Sequence, residues 1–232
     1  ALFFFGLGVS PSLVDAFQCF ETAATWESPD GIHNLGLCYL RGYGVERDYQ
    51  SALNLFNKGA NLGNSKSIGK LGFMYMNGYG VERNERIAFK FYEDGATKGD
   101  TASHYYLGIC YQDGRGTDVD YEKAREHYLE SARKNYSASY LGLGMMYKLG
   151  MGVDIDLEKA FNYFKSGAKL DDDEAFYQLG ECYIKGEGTT QSVKKGIRCF
   201  MEASKYEHPQ ALLRLGIAYR NGIGVNVDNQ KA

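Results

Sequence analysis

Three groups of residues in this chain could do chemistry by type. Glycines recur in pairs as Gly-x-Gly, at 6 and 8, 42 and 44, 78 and 80, 114 and 116, 150 and 152, 186 and 188, and 222 and 224. Such turns cradle phosphates when a strand precedes them, a third glycine follows and a helix starts behind. Here a helical pattern precedes each pair and the third glycine is missing, so the pairs read as turns. Asp171-Asp172-Asp173-Glu174 offers four carboxylates to a cation. It lacks the spaced ligands of a calcium loop and reads as a solvated turn leading into a helix, whose start favours negative charge. His33, His104, His127 and His208 form no His-x-x-x-His pair, and the five cysteines add no ligand spacing, so no zinc site is expected. No nucleophile, base and orienting group follow one another in a recognised order. The expected catalytic, cofactor-binding and metal-ligating sets are therefore empty.

The elements that carry these residues repeat. Leu35-Gly36, Leu71-Gly72, Leu107-Gly108, Leu143-Gly144, Leu179-Gly180 and Leu215-Gly216 are each 36 residues apart, and a tyrosine stands three residues after each glycine. A fixed period of this size marks a solenoid of one stacked supersecondary unit. Leu35 and Tyr39 lie four apart on one helical face. The glycine pair then ends that first helix. A β-branched residue follows each pair, at 9, 45, 81, 117, 153, 189 and 225, and is expected to plug the hairpin base. Ser12, Asp48, Asn84, Asp120, Asp156, Ser192 and Asp228 are all N-cap types and predict the start of a second helix. Within it, small, aromatic and small residues share a stripe, as in Ala52, Phe56 and Ala60. That stripe suits close helix packing. The glycine of each Leu-Gly pair costs about 1 kcal/mol inside a helix, so it predicts a contact too tight for a Cβ. No segment alternates long enough to be a strand.

The pattern Leu-Gly-x-x-Tyr-x-x-Gly-x-Gly-Val, then Asp, then Lys-Ala-x-x-x-Phe-x-x-x-Ala resembles the Sel-1-like repeat. The copy from Leu143 to Ala168 matches it nearly fully, and the resemblance covers the whole chain. It implies an all-α fold, a right-handed α/α superhelical solenoid of helix-loop-helix repeats akin to tetratricopeptide arrays. It also implies a scaffold or adaptor rather than an enzyme. A cysteine-rich branch of that family is linked to β-lactam binding, so a small-ligand-binding or weakly hydrolytic protein is a second reading. This chain lacks that branch's regular cysteine pair. A spacer within a larger protein is a third.

Residues 1–232 read as a single array of about six and a half repeats, cut mid-repeat at both ends, which predicts a piece of a longer array. Net charge is −3, with 26 basic and 29 acidic residues interspersed. That argues against a nucleic-acid footprint or a polybasic membrane contact. No apolar run is long enough to span a membrane. The cysteines share registers with apolar residues and are expected to be buried small hydrophobes. Their odd count favours a reducing compartment, such as the cytoplasm. Cys182 and Cys199 fall in the two helices of one hairpin, and the sequence leaves their pairing open.

By similarity to tetratricopeptide arrays, a protein or peptide partner is expected on the concave surface, on first-helix positions outside the Leu/Gly/Tyr signature. Those columns vary in chemistry while the scaffold columns do not. One gives Asn34, Lys70, Tyr106, Gln178 and Arg214; another gives Arg41, Asn77, Asp113, Lys185 and Asn221. A third column, Leu40, Met76, Gln112, Lys148, Ile184 and Arg220, flanks them. Aromatic and arginine anchors would dominate affinity, so Tyr106, Gln178 and Arg214 are the residues to test.

Overall fold

The computed structural model describes residues 12–224. The turn expected at Gly6 and Gly8, the plugs at Val9 and Val225, the cap at Asp228 and the apolar opening run lie outside the described residues. The described residues hold twelve helices and no strand. Second helices of successive repeats are α1 (Leu13–Thr25), α3 (Tyr49–Asn61), α5 (Glu85–Thr97), α7 (Tyr121–Arg133), α9 (Leu157–Ala168) and α11 (Val193–Ser204). First helices are α2 (Pro29–Arg41), α4 (Ser65–Asn77), α6 (Thr101–Asp113), α8 (Ser137–Leu149), α10 (Asp173–Lys185) and α12 (Pro209–Asn221). The fold is an all-α solenoid of helix pairs.

Local chemistry sets each boundary. Ser12, Asp48, Asn84, Asp120, Asp156 and Ser192 all cap the second helices, each side chain accepting from a backbone N–H two or three residues on. The first helices carry their own caps at Ser28, Asn64, Asp100, Asp172 and His208, which the repeat pattern did not announce. Within the acidic run Asp172 is the cap, accepting from the Ala175 N–H at 2.9 Å. Tyr136 stands at the same place before α8 without a side-chain cap bond. The first glycine of each pair ends a first helix in the left-handed region; Gly42, at φ 75°, donates to the Cys38 carbonyl at 2.7 Å. The second glycine serves packing between repeats. A Cβ on Gly188 would lie 1.9 Å from the Leu157 carbonyl oxygen at the start of α9.

Four of the Leu-Gly glycines, Gly36, Gly72, Gly144 and Gly180, sit against the aromatic residue of the following helix. An added Cβ would come within 2.7 Å of Phe56 at Gly36 and of Tyr92 at Gly72, 2.4 Å of Phe164 at Gly144 and 2.5 Å of Phe200 at Gly180. Those rings are buried, as are Ala52, Ala88, Ala160 and Gly196 four residues before them. Side chains thus interlock at the density that gives a core its rigidity.

The chain divides into two compact units, Ala1–Val119 and Asp120–Ala232. In the first, consecutive helices α1 to α6 pack in order, and α4 also meets α6. In the second, α7 to α12 do the same, and α8 also meets α10. One pair of first helices therefore meets within each unit, α4 with α6 and α8 with α10.

Two expectations need correcting. Cys38, Cys110 and Cys182 are buried and Cys199 is half-buried, but Cys19 is exposed. All five are free thiols, Cys182 and Cys199 included. Burial raises the pKa of both to about 11, so they are neutral thiols at physiological pH. Leu40, in the flanking column, is a core residue packed with Leu53 and Phe56 rather than a surface one.

Candidate partner-binding face

All ten candidate residues lie on first helices. Asn34 and Arg41 are on α2, Lys70 and Asn77 on α4, Tyr106 and Asp113 on α6, Gln178 and Lys185 on α10, and Arg214 and Asn221 on α12. Arg41, Asn77, Asp113, Lys185, Arg214 and Asn221 are exposed; Asn34, Lys70, Tyr106 and Gln178 are half-buried.

In the first unit these side chains are engaged locally. The Lys70 ammonium lies 5.6 Å from the centre of the Phe73 ring, and burial lowers its pKa against the pull of Asp100. Tyr106 stacks on Tyr92 with ring centres 5.0 Å apart. Asn77 donates to the Phe73 carbonyl at 2.7 Å, and Asp113 pairs with Arg115 at 2.8 Å.

In the second unit the structure draws several of them together. Arg214 grips Glu181 with two nitrogens, at 2.9 and 3.1 Å, and Lys185 reaches the same carboxylate at 3.0 Å. Glu181 is 5% exposed, while the side chains of Arg214 and Lys185 are about half exposed. The fork geometry suits arginine to a planar carboxylate. One buried anion thus organises two cations and leaves a net positive charge at the surface. Around it, Gln178 donates to Glu174 at 2.8 Å and accepts from Lys148 at 3.3 Å. His208 accepts from the Ala211 N–H through Nδ1, so Nε2 carries the proton and donates to Glu174 at 3.0 Å. Beside this network a cavity of about 220 Å³ opens, walled by Ile184, Ile197, Phe200, Ile217 and Ile223. Asn34, Arg41 and Asn221 do not join the network.

Glu181 is the residue that sequence reasoning passed over. Its column otherwise holds Leu37, Phe73, Ile109, Met145 and Ile217. A charge in an apolar column is the signal that could have found it, since a buried carboxylate needs partners.

A buried histidine–serine pair also occurs, His33 Nδ1 lying 3.1 Å from Ser67 Oγ. Burial, then Lys70 and Lys66, lower the His33 pKa to about 4. The Ser67 hydroxyl is fully enclosed, so no substrate reaches it and the pair is structural. Among the described residues no three His, Cys, Asp or Glu side chains converge as metal ligands, and no helix is long and apolar enough to cross a membrane.

The Sel1 repeat family matches residues 1–25, 29–64, 65–100, 101–136, 137–172, 174–205 and 209–232. No curated protein matches the chain. Among solved structures, a Sel1 repeat protein from Oxalobacter formigenes superposes with a TM-score of 0.83 and 27% identity, over 94% of this chain and 95% of that one. A protective antigen present in uropathogenic Escherichia coli strains, displaying an SLR fold, gives 0.74 and 28% over 99% of this chain. This chain spans 49% of that antigen's length. An immunity protein from Pseudomonas aeruginosa, at 20% identity and a TM-score of 0.62 over 83% of this chain and 74% of its own, shares the fold. Sel1 repeats typically bind proteins and generally act as non-enzymatic scaffolds. The matched segments cover nearly the whole chain, which therefore belongs to the Sel1 repeat family.

Proposed function

We propose that this protein is a non-enzymatic adaptor that binds a peptide or protein partner on its first-helix face, with the Glu181 network of the second unit as the anchor. The carrying observation is Glu181 itself, a buried carboxylate that holds Arg214 and Lys185 in fixed, half-exposed positions. Holding them before the partner arrives lowers the ordering cost of binding. The adjoining apolar cavity supplies desolvated area of the kind that surrounds interface hot spots. The fit is to a partner surface that offers a carboxylate beside an apolar side chain.

The test is quantitative capture of a partner from source-organism lysate, comparing wild type with Arg214→Gln. Glutamine removes the charge yet keeps a donor for Glu181, whereas Arg214→Glu would set one carboxylate against another. A protein enriched by the wild type and lost by the variant, at equal helicity by circular dichroism, supports the reading. Equal enrichment by both removes Arg214 from the interface.

A further inference from the structure

One column of the second helices, Cys19, Leu55, Phe91, His127, Tyr163 and Cys199, carries a ring in some repeats and none in others. In two repeats a second-helix ring covers a first-helix tyrosine: Phe91 stacks on Tyr75 at 5.5 Å, and Tyr163 on Tyr147 at 5.7 Å. Lys159 adds its ammonium 5.2 Å from the Tyr147 ring centre. The corresponding trio in the next repeat is Tyr183, Lys195 and Cys199. Tyr183 keeps an edge contact with Phe161 at 5.3 Å, and Lys195 lies 5.3 Å from its centre. Where the stacked ring would sit, there is only a half-buried thiol.

A cavity of about 300 Å³ lies here between α9 and α11, floored by Leu179, Tyr183 and Cys199. Lys165, Lys195 and Arg198 line it, with Glu202 as the single acid. Glu202 is already paired with Lys205 outside the cavity. The site therefore combines an open aromatic face with surplus positive charge. Both features point to a ring that arrives with negative charge around it.

We propose that this slot binds an acidic peptide segment that inserts an aromatic side chain onto Tyr183, in the place a tyrosine fills in the preceding repeat, while its carboxylates meet Lys165 and Arg198. The slot lies on the second-helix side of the hairpin and is independent of the Glu181 network.

The test is fluorescence anisotropy of a dye-labelled peptide with one tyrosine flanked on each side by two acidic residues. Saturable binding is expected, with a loss of about tenfold or more when the peptide tyrosine becomes alanine. Cys199→Tyr restores the ring found at Tyr163 and should abolish binding with unchanged thermal unfolding. Lys165→Gln with Arg198→Gln, both at exposed positions that leave the fold intact, should weaken binding at least about threefold. No binding of the peptide overturns the proposal. So does binding that Cys199→Tyr and the double charge variant both leave unchanged. Tighter binding of adenosine monophosphate than of the peptide would assign the slot to nucleotides and overturn it equally.

Discussion

The two units use one scaffold and turn the same columns to different ends. In the first, candidate side chains fold back on rings: Lys70 lies over Phe73, and Tyr106 stacks on Tyr92. In the second, Gln178, Lys185 and Arg214 are held by carboxylates, with buried Glu181 at the centre. Ring contacts spend a side chain on stability. Charge contacts to a half-exposed cation hold it in place while leaving donors for another molecule. The members of one variable column thus make different kinds of local contact.

The contrast can be broken most severely from the first unit. Tyr92→Ala removes the ring on which Tyr106 stacks and Gly72 packs, and should cost about 3–5 kcal/mol by urea denaturation. Acid should weaken the same unit. His33, with a native pKa of about 4 against an ordinary 6.5, takes up its proton more readily when unfolded. Its contribution is complete above pH 6.5 and is lost as pH falls towards 4, by up to about 1.4 kcal/mol per pH unit. Leu141, Tyr177 and Leu213 hold that column in the second unit. His33→Leu should flatten the slope, as followed by denaturant midpoints between pH 4 and 7; an unchanged slope would place the titration elsewhere. The smallest change is expected at the network's centre. Glu181→Leu restores the column's apolar type and frees two cations that can rehydrate, so stability should move by less than about 1 kcal/mol. Partner capture should nevertheless fall, because Arg214 and Lys185 lose their fixed positions.

Much of the scaffold was legible because the repeat states each position several times. The second-helix caps, the glycine turns and the tight Leu-Gly contacts follow from residue type and period alone. What the repeat hides is what departs from it. Glu181 was invisible to a reading that sought columns of agreement, and Cys199 read only as a buried small hydrophobe. The first-helix caps escaped for a related reason: Ser28, Asn64, Asp100, Tyr136, Asp172 and His208 share a place but not a type. The ring of Tyr106 has a packing partner in Tyr92 that no single-column reading supplies. Stacking depends on which helices meet, and that is a property of the assembled pair.

The proposed function places recognition in the Glu181-anchored cations of the second unit. Its most direct test is the dissociation constant of the captured partner for wild type, Arg214→Gln and Arg41→Gln. Arg41 is an exposed arginine on a first helix of the first unit and lies outside the network. A loss of about tenfold or more is expected for Arg214→Gln, with Arg41→Gln within about twofold of wild type. Equal constants for all three proteins, or the larger loss at Arg41, would contradict it.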